Sequence, residues 1–109
     1  MVDLIVALEV ELAGITMPPG VRVTCCGVGK VNAALAAAHV LTRPDCRRVI
    51  NYGTAGSLVP ALAGQLVRVA SISQRDMDAR PLAPLGVTPF EDGAVTGEII
   101  IGDDGVRLS

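Results

Sequence analysis

Apolar residues fall in short continuous runs along this chain, and most runs are closed by glycine, proline or an acidic residue. Runs of this length, built from Val, Ile and Leu, are typical of parallel strands that are buried on both faces. An alanine-rich segment with helical spacing lies between the second and third runs and ends at Pro44. The pattern predicts strands at 2–8, 21–26, 48–52, 65–73 and 97–101, a helix at 30–43, and an opening strand at 106–109.

The predicted helix joins two predicted strands by short connections, which favours a right-handed parallel crossover. The fold class is therefore α/β, with a mostly parallel central sheet flanked by helices, and 109 residues are enough for one compact domain. Residues 75–93 contain several prolines and glycines and are predicted to form a long surface loop. The apolar face of the helix is predicted to comprise Val31, Ala34, Leu35, Ala38 and Leu41.

Ligands of open α/β sheets bind beyond the carboxyl ends of the strands. Three segments are predicted to meet there: "LEVE" after the first strand, "GVGK" after the second and "GTAGS" after the third. Each segment alone is also compatible with a plain turn, and Lys30 with a solvated lysine in the first turn of a helix. Their convergence on one edge indicates a ligand site.

The side chains at this edge have definite chemical uses. Gly53 and Gly56 allow a ligand to approach the backbone closely, and Thr54 adds a hydroxyl. Glu9 and Glu11 would share one face of a strand, and a carboxylate there can act as a general base. Alternatively, either glutamate begins a solvated helix, where acidic residues are favoured.

Composition limits the possible partners. The net charge is −2 and the nine basic residues are scattered, so nothing indicates nucleic-acid binding. The amino-terminal segment is apolar but carries Asp3, Glu9 and Glu11 and has no basic leader, which argues against a signal peptide. No apolar stretch is long enough to span a bilayer.

Three cysteines, Cys25, Cys26 and Cys46, have neither the spacing of a metal site nor that of a disulfide framework. They are predicted to be small buried hydrophobic residues, and reduced thiols suit a cytoplasmic protein. Nothing in the sequence indicates a metal or another cofactor.

Taken in order, "ALEVE", "GVGKVNAALAAAHVL", "VINYGTAGSL" and "RDMD" resemble the amino-terminal half of the nucleoside phosphorylase and nucleosidase family. The branch with the greatest resemblance is that of the 5′-methylthioadenosine/S-adenosylhomocysteine nucleosidases. There the corresponding motifs are Ala-Met-Glu-Glu-Glu, Gly-Ile-Gly-Lys-Val and Asn-Thr-Gly-Ser-Ala-Gly. The resemblance covers residues 1 to about 90 in order and implies a hydrolase that releases adenine from a purine nucleoside.

The resemblance also implies roles for single residues. Glu11 falls on the glutamate that activates the attacking water, and Thr54 on the serine beside that water. Ala55 and Gly56 lie along the nucleoside, and Leu8 and Val28 line the pocket for the 5′-alkylthio group. Ala79 and Leu82 fall on a loop that closes this pocket in a neighbouring subunit, which implies a homodimer.

Two departures from the family pattern change the prediction. Phosphorylases of the family hold phosphate with an arginine where Asn51 stands, and they carry a Gly-Asp-Pro phosphate loop that this sequence lacks. A neutral amide cannot replace a bidentate guanidinium, so water is favoured as the nucleophile. The residues that grip the ribose and protonate the purine are expected beyond Ser109, so the isolated chain is expected to be inactive. It is also expected to be poorly stable, because the single helix 30–43 can cover only one of the two apolar faces of the sheet. The alternatives are a phosphorylase of the same family and a non-catalytic nucleotide-binding or assembly module.

Overall fold

The structure of the protein, a computed structural model, describes residues 1–91 and 97–108. The chain divides into two compact units, Met1–Gly56 and Ser57–Ser109. A parallel three-stranded sheet with one helix forms the first unit, so the predicted α/β class is confirmed. The six strands of the described residues form two three-stranded sheets, and a single central sheet flanked by helices stays a prediction.

The first unit is built on β1 (Val2–Val6), β2 (Val21–Cys25) and β3 (Arg48–Tyr52). The strand order is β2-β1-β3 and all pairing is parallel, with Val6 opposite both Cys25 and Tyr52. The carboxyl ends of the three strands therefore lie at one edge. Strand β1 ends two residues earlier than predicted, because Leu8 caps a short 3₁₀ helix, Glu9–Leu12.

Helix α1 (Lys30–Leu41) follows a turn in which Gly27 and Gly29 have φ values of 85° and 103°, a region that favours glycine. The helix ends two residues before the predicted boundary, because Pro44 disfavours helical geometry at Arg43. The predicted apolar face was wrong. Val31, Leu35 and Leu41 are 75%, 67% and 66% exposed, and the least exposed positions of the helix are Ala33, Ala36, Ala37 and Val40.

The error in the helix face has a simple physical cause. Helix α1 carries apolar side chains on almost every side, so periodicity does not distinguish the packed face from the exposed one. The small alanine side chains allow the helix to approach the sheet, and a groove of about 310 Å³ remains between them. Ile5, Ala33, Ala34, Ala37, Val49 and Asn51 line this groove.

The exposed apolar side chains of α1 lead to a prediction about the chain in solution. Because Val31, Leu35 and Leu41 form large exposed apolar surface, we expect the 109-residue chain to bind a hydrophobic dye and to self-associate. Sedimentation combined with dye fluorescence measures both effects. The matched variant Leu35→Lys should reduce both while leaving the melting temperature nearly unchanged. A monodisperse monomer that binds no dye would contradict the expectation and favour the non-catalytic module.

The second unit contains β4 (Val69–Ser73), β5 (Glu98–Ile100) and β6 (Val106–Leu108) in the order β5-β4-β6. Strand β4 pairs antiparallel with β5 and parallel with β6. Residues 75–91 contain no helix or strand, as the predicted loop requires. Residues 92 and 93 of that loop and Ser109 of the last predicted strand lie outside the described residues.

A buried carboxylate lies near the amino ends of the strands, away from the carboxyl edge. Asp3 is 0% exposed and lies opposite Arg22 in the β1–β2 register. Arg22 donates to both Asp3 oxygens, from Nε at 2.7 Å and from Nη2 at 3.0 Å, and Arg43 Nη1 donates to Asp3 Oδ1 at 2.6 Å. Asp45 accepts two further hydrogen bonds from the same guanidinium, donated by Nη1 and Nη2 of Arg22. The network ties both strands to the segment that follows α1.

The prediction for the cysteines was wrong. Cys25 is exposed, and Cys26 and Cys46 are half-buried. Cys25 lies on β2, an edge strand of its sheet, and Cys26 directly follows it, so neither is enclosed between strands. Cys46 lies beside Asp3, and this carboxylate, together with burial, raises the pKa of the thiol. Within the described residues, no helix has both the length and the apolar character needed to cross a membrane.

Candidate active site

Three segments follow the carboxyl ends of the parallel strands, as the sequence predicts. The 3₁₀ helix Glu9–Leu12 comes after β1, the turn 26–29 comes after β2, and residues 53–56 come after β3. Backbone hydrogen bonds extend the edge, since Cys26 N donates to Val6 O and Gly27 N to Ala7 O. The segments from β1 and β3 are also joined directly by side-chain hydrogen bonds.

The contact between these two segments is made by Glu11 and Thr54. Glu11 Oε1 accepts a hydrogen bond from Thr54 N at 3.0 Å and another from Thr54 Oγ1 at 3.0 Å. The second carboxylate oxygen, Oε2, accepts one from Leu8 N at 3.1 Å. The carboxylate is therefore fixed at both oxygens, although Glu11 is only half-buried and Thr54 is exposed.

Helix capping accounts for only part of this geometry. A glutamate three residues after an N-cap commonly accepts a hydrogen bond from the N-cap N–H, and the bond from Leu8 to Glu11 has this form. Capping does not require the bonds from Thr54, which is 43 residues away in sequence. The Glu11 carboxylate thus caps a local turn and is also bound to the segment after β3.

These hydrogen bonds have an electrostatic consequence. The N–H groups of Thr54 and Leu8, in that order of effect, and then the Thr54 hydroxyl stabilise the ionised carboxylate and lower the pKa of Glu11 below its ordinary value. Glu11 is therefore ionised at neutral pH. An ionised carboxylate at the open edge of a sheet is able to accept a proton from a bound water molecule.

The structure separates the two glutamates in a way that differs from the prediction. They were expected to share one face of a strand, but β1 ends at Val6 and both lie in the 3₁₀ helix. Glu9 is exposed, whereas Glu11 turns toward the segment after β3. The geometry brings together Glu11, Thr54 and the backbone of Leu8.

Four other predicted residues lie at the same edge of the first unit. Leu8 and Val28 are 46% and 69% exposed, and their apolar side chains follow β1 and β2. Ala55 and Gly56 are exposed in the turn after β3, adjacent in sequence to Thr54. The substrate-binding roles of these four residues stay predictions.

Ala79 and Leu82 belong to the second unit. Leu82 N donates to Ala79 O at 2.9 Å, so the two residues form one turn of the predicted loop. The side chain of Leu82 is 69% exposed, and Ala79 is half-buried. A pocket of about 380 Å³ in this unit is lined by other residues, among them Arg75, Glu98 and Arg107. The role of Ala79 and Leu82 in closing a neighbouring site stays a prediction.

Asn51, the residue on which the choice of nucleophile depends, lies on β3 in the groove beside α1. Its neighbours in that groove are the apolar side chains of Ile5, Ala33, Ala34, Ala37 and Val49. Among the described residues, no group of three or more His, Cys, Asp or Glu side chains is placed to hold a metal ion.

Comparison with known proteins identifies the class. The family model of the phosphorylase superfamily matches residues 19–98, so the chain belongs to that superfamily. The resemblance to nucleoside phosphorylases and nucleosidases is thereby confirmed. The chain is also similar to the 5′-methylthioadenosine/S-adenosylhomocysteine nucleosidase of Baumannia cicadellinicola subsp. Homalodisca coagulata, with 42% identity over 53 residues. The matched segment is 48% of this chain and only 23% of that relative. No solved structure matches the chain.

Proposed function

We propose that the protein hydrolyses the N-glycosidic bond of a purine nucleoside such as 5′-methylthioadenosine or S-adenosylhomocysteine and releases adenine. Membership of the phosphorylase superfamily supports cleavage of a nucleoside, and the nucleosidase relative supports water as the acceptor. The resemblance also supports a homodimer whose partner subunit closes the pocket with the loop that contains Ala79 and Leu82. The free cysteines suit a cytoplasmic location.

The observation that carries the proposal is the hydrogen-bonded pair Glu11–Thr54 at the carboxyl edge of a parallel sheet. A capping glutamate would need only Leu8. The additional bonds hold an ionised carboxylate beside the small-residue turn 53–56, where a ribose can approach the backbone closely.

The chemistry follows from the charges that develop in the reaction. As the bond between C1′ and the purine nitrogen breaks, its electron pair leaves with the base and positive charge develops on the ribose. Water forms the new bond to C1′ and gives one proton to Glu11, whose negative charge also stabilises the ribosyl cation. The Thr54 hydroxyl donates its hydrogen to Glu11. The lone pairs of Thr54 Oγ1 can therefore accept a hydrogen bond from the same water. The leaving purine takes a proton from an acid.

The nature of the nucleophile gives a direct test. With Asn51 at the position where related phosphorylases hold phosphate by arginine, we expect adenine release from methylthioadenosine to be equally fast with and without phosphate. The measurement uses the protein expressed from its complete reading frame and follows both adenine and the sugar product. The sugar should carry a free hydroxyl at C1′.

Two results would contradict the proposal. A rate proportional to phosphate concentration, with the sugar released as its 1-phosphate, would establish a phosphorylase. Binding of the nucleoside without any release of base would establish the non-catalytic module.

A further inference from the structure

Gly53 lies directly against the carboxylate of Glu11. A Cβ atom built on Gly53 would lie 3.2 Å from Glu11 Oε1, 3.7 Å from Cδ and 3.8 Å from Oε2. The first distance is shorter than nine in ten of the contacts that Cβ atoms make in proteins, so a neighbour would have to move by a few tenths of an ångström. The nearest atoms belong to the end of a flexible side chain. The carboxylate would therefore move, and the backbone would keep its place.

Backbone strain does not explain why glycine stands at this position. The φ angle of Gly53 is not in the positive region that favours glycine, so an alanine can adopt its backbone conformation. The space beside the missing Cβ is what matters. The same turn supplies this space at Gly53 and the two donors to Oε1 at Thr54.

We propose that Gly53 is a positioning residue whose missing side chain allows the Glu11 carboxylate to reach both donors of Thr54. This inference rests on the proposed role of Glu11 as the base. A displaced carboxylate would lengthen hydrogen bonds that are now 3.0 Å, and bonds of this kind weaken as they lengthen and bend. The carboxylate would also leave the position from which it accepts the proton of water.

The test compares Gly53→Ala with Gly56→Ala. The second variant is a matched control because a Cβ at Gly56 would meet nothing within 4 Å and its φ is not positive. Carbon-13 NMR of the side-chain carboxyls, with Glu11 assigned through Glu11→Gln, gives the pKa of Glu11 in each protein. We expect Gly53→Ala to raise this pKa toward the ordinary glutamate range and Gly56→Ala to leave it unchanged.

Kinetics of wild type and Gly53→Ala, both expressed from the complete reading frame, provide a second readout. We expect Gly53→Ala to lower kcat about tenfold with little change in KM, and to shift the acidic limb of the pH profile upward. An unchanged Glu11 pKa in Gly53→Ala would overturn the inference, whatever the activity. A raised pKa in a protein that cleaves no nucleoside would support the positioning role and overturn the proposed function.

If Gly53→Ala does not fold, a double variant decides the question. Removing the carboxylate in Gly53→Ala/Glu11→Ala should restore folding when contact with Glu11 is the cause. Failure of the double variant to fold would overturn the inference, because the added methyl group would then be rejected by something other than Glu11.

Discussion

Replacement of Glu11 by glutamine is expected to lower the rate of purine release by about 10²-fold or more, with substrate affinity less affected. Glutamine keeps the shape of the side chain but cannot accept the proton of water. It also supplies an NH2 group where the structure requires acceptors, because both carboxylate oxygens accept N–H bonds, from Thr54 and from Leu8. Steady-state kinetics on methylthioadenosine, with the protein expressed from its complete reading frame, measures the effect.

The matched control is Glu9→Gln, the same chemical change two residues away. Glu9 is exposed in the same 3₁₀ helix, so this variant should be only mildly affected. Equal losses in the two variants would contradict the assignment of the base to Glu11 alone and would indicate that the glutamates act as a pair.

The pH dependence follows from the hydrogen bonds of the base. Because the pKa of Glu11 lies below its ordinary value, the carboxylate stays ionised, and active as a base, to lower pH than an unpaired glutamate. Activity is lost only as the pH falls through this lowered pKa. The acidic limb of kcat/KM should therefore lie below the ordinary glutamate pKa, and an acidic limb near neutral pH would contradict this assignment.

The second large effect concerns stability. Asp3→Asn should lower the melting temperature by about 10 °C or more, because removing one partner of a buried ion pair is strongly destabilising. The asparagine has one acceptor oxygen in place of two, whereas Arg22 and Arg43 together direct three N–H bonds at Asp3. Thermal unfolding followed by circular dichroism measures the change.

Asp45→Asn is the matched control for Asp3. Asp45 accepts from the same guanidinium, but its side chain is 56% exposed, and exposed pairs contribute little. The hydrogen bonds from Arg22 lower the pKa of Asp3, so the stabilisation is present at neutral pH and is lost as the pH falls through that lowered value. The difference between wild type and Asp3→Asn should therefore shrink in strong acid. Equal effects of the two substitutions would contradict the importance of the buried carboxylate.

Sequence patterns predicted the helices and strands of this fold better than the packing and exposure of their side chains. Strand β3 has the predicted bounds because a charged pair precedes its apolar run and glycine follows it. The apolar run of β1 continues through Leu8, and only the hydrogen bond from Leu8 N to Glu11 shows where the turn begins. The packed face of α1 and the exposure of Cys25 depend on neighbouring elements, which local periodicity does not encode.

The edge that carries the candidate site was predicted from the strand pattern, whereas the roles of Glu11 and Thr54 beside one water came from resemblance to a family, since spacing alone does not pair them. The residues are distant in sequence and become neighbours only because β1 and β3 are hydrogen-bonded partners. The position of Gly53 against Oε1 carries no sequence pattern of its own, since glycine after a strand is common in turns. Its part in the site became visible only with the atomic distances.

The register of β1 against β3 sets the distance between the two sides of the site. Val6 is opposite Tyr52, Glu11 follows one strand end by five positions, and Thr54 follows the other by two. The segment 13–20, which leads from the 3₁₀ helix to β2, takes no part in this spacing. Insertions before Pro18 lengthen a connection, at small entropic cost, and leave the carboxylate and the hydroxyl in register. A single residue inserted between Tyr52 and Thr54 would instead separate them.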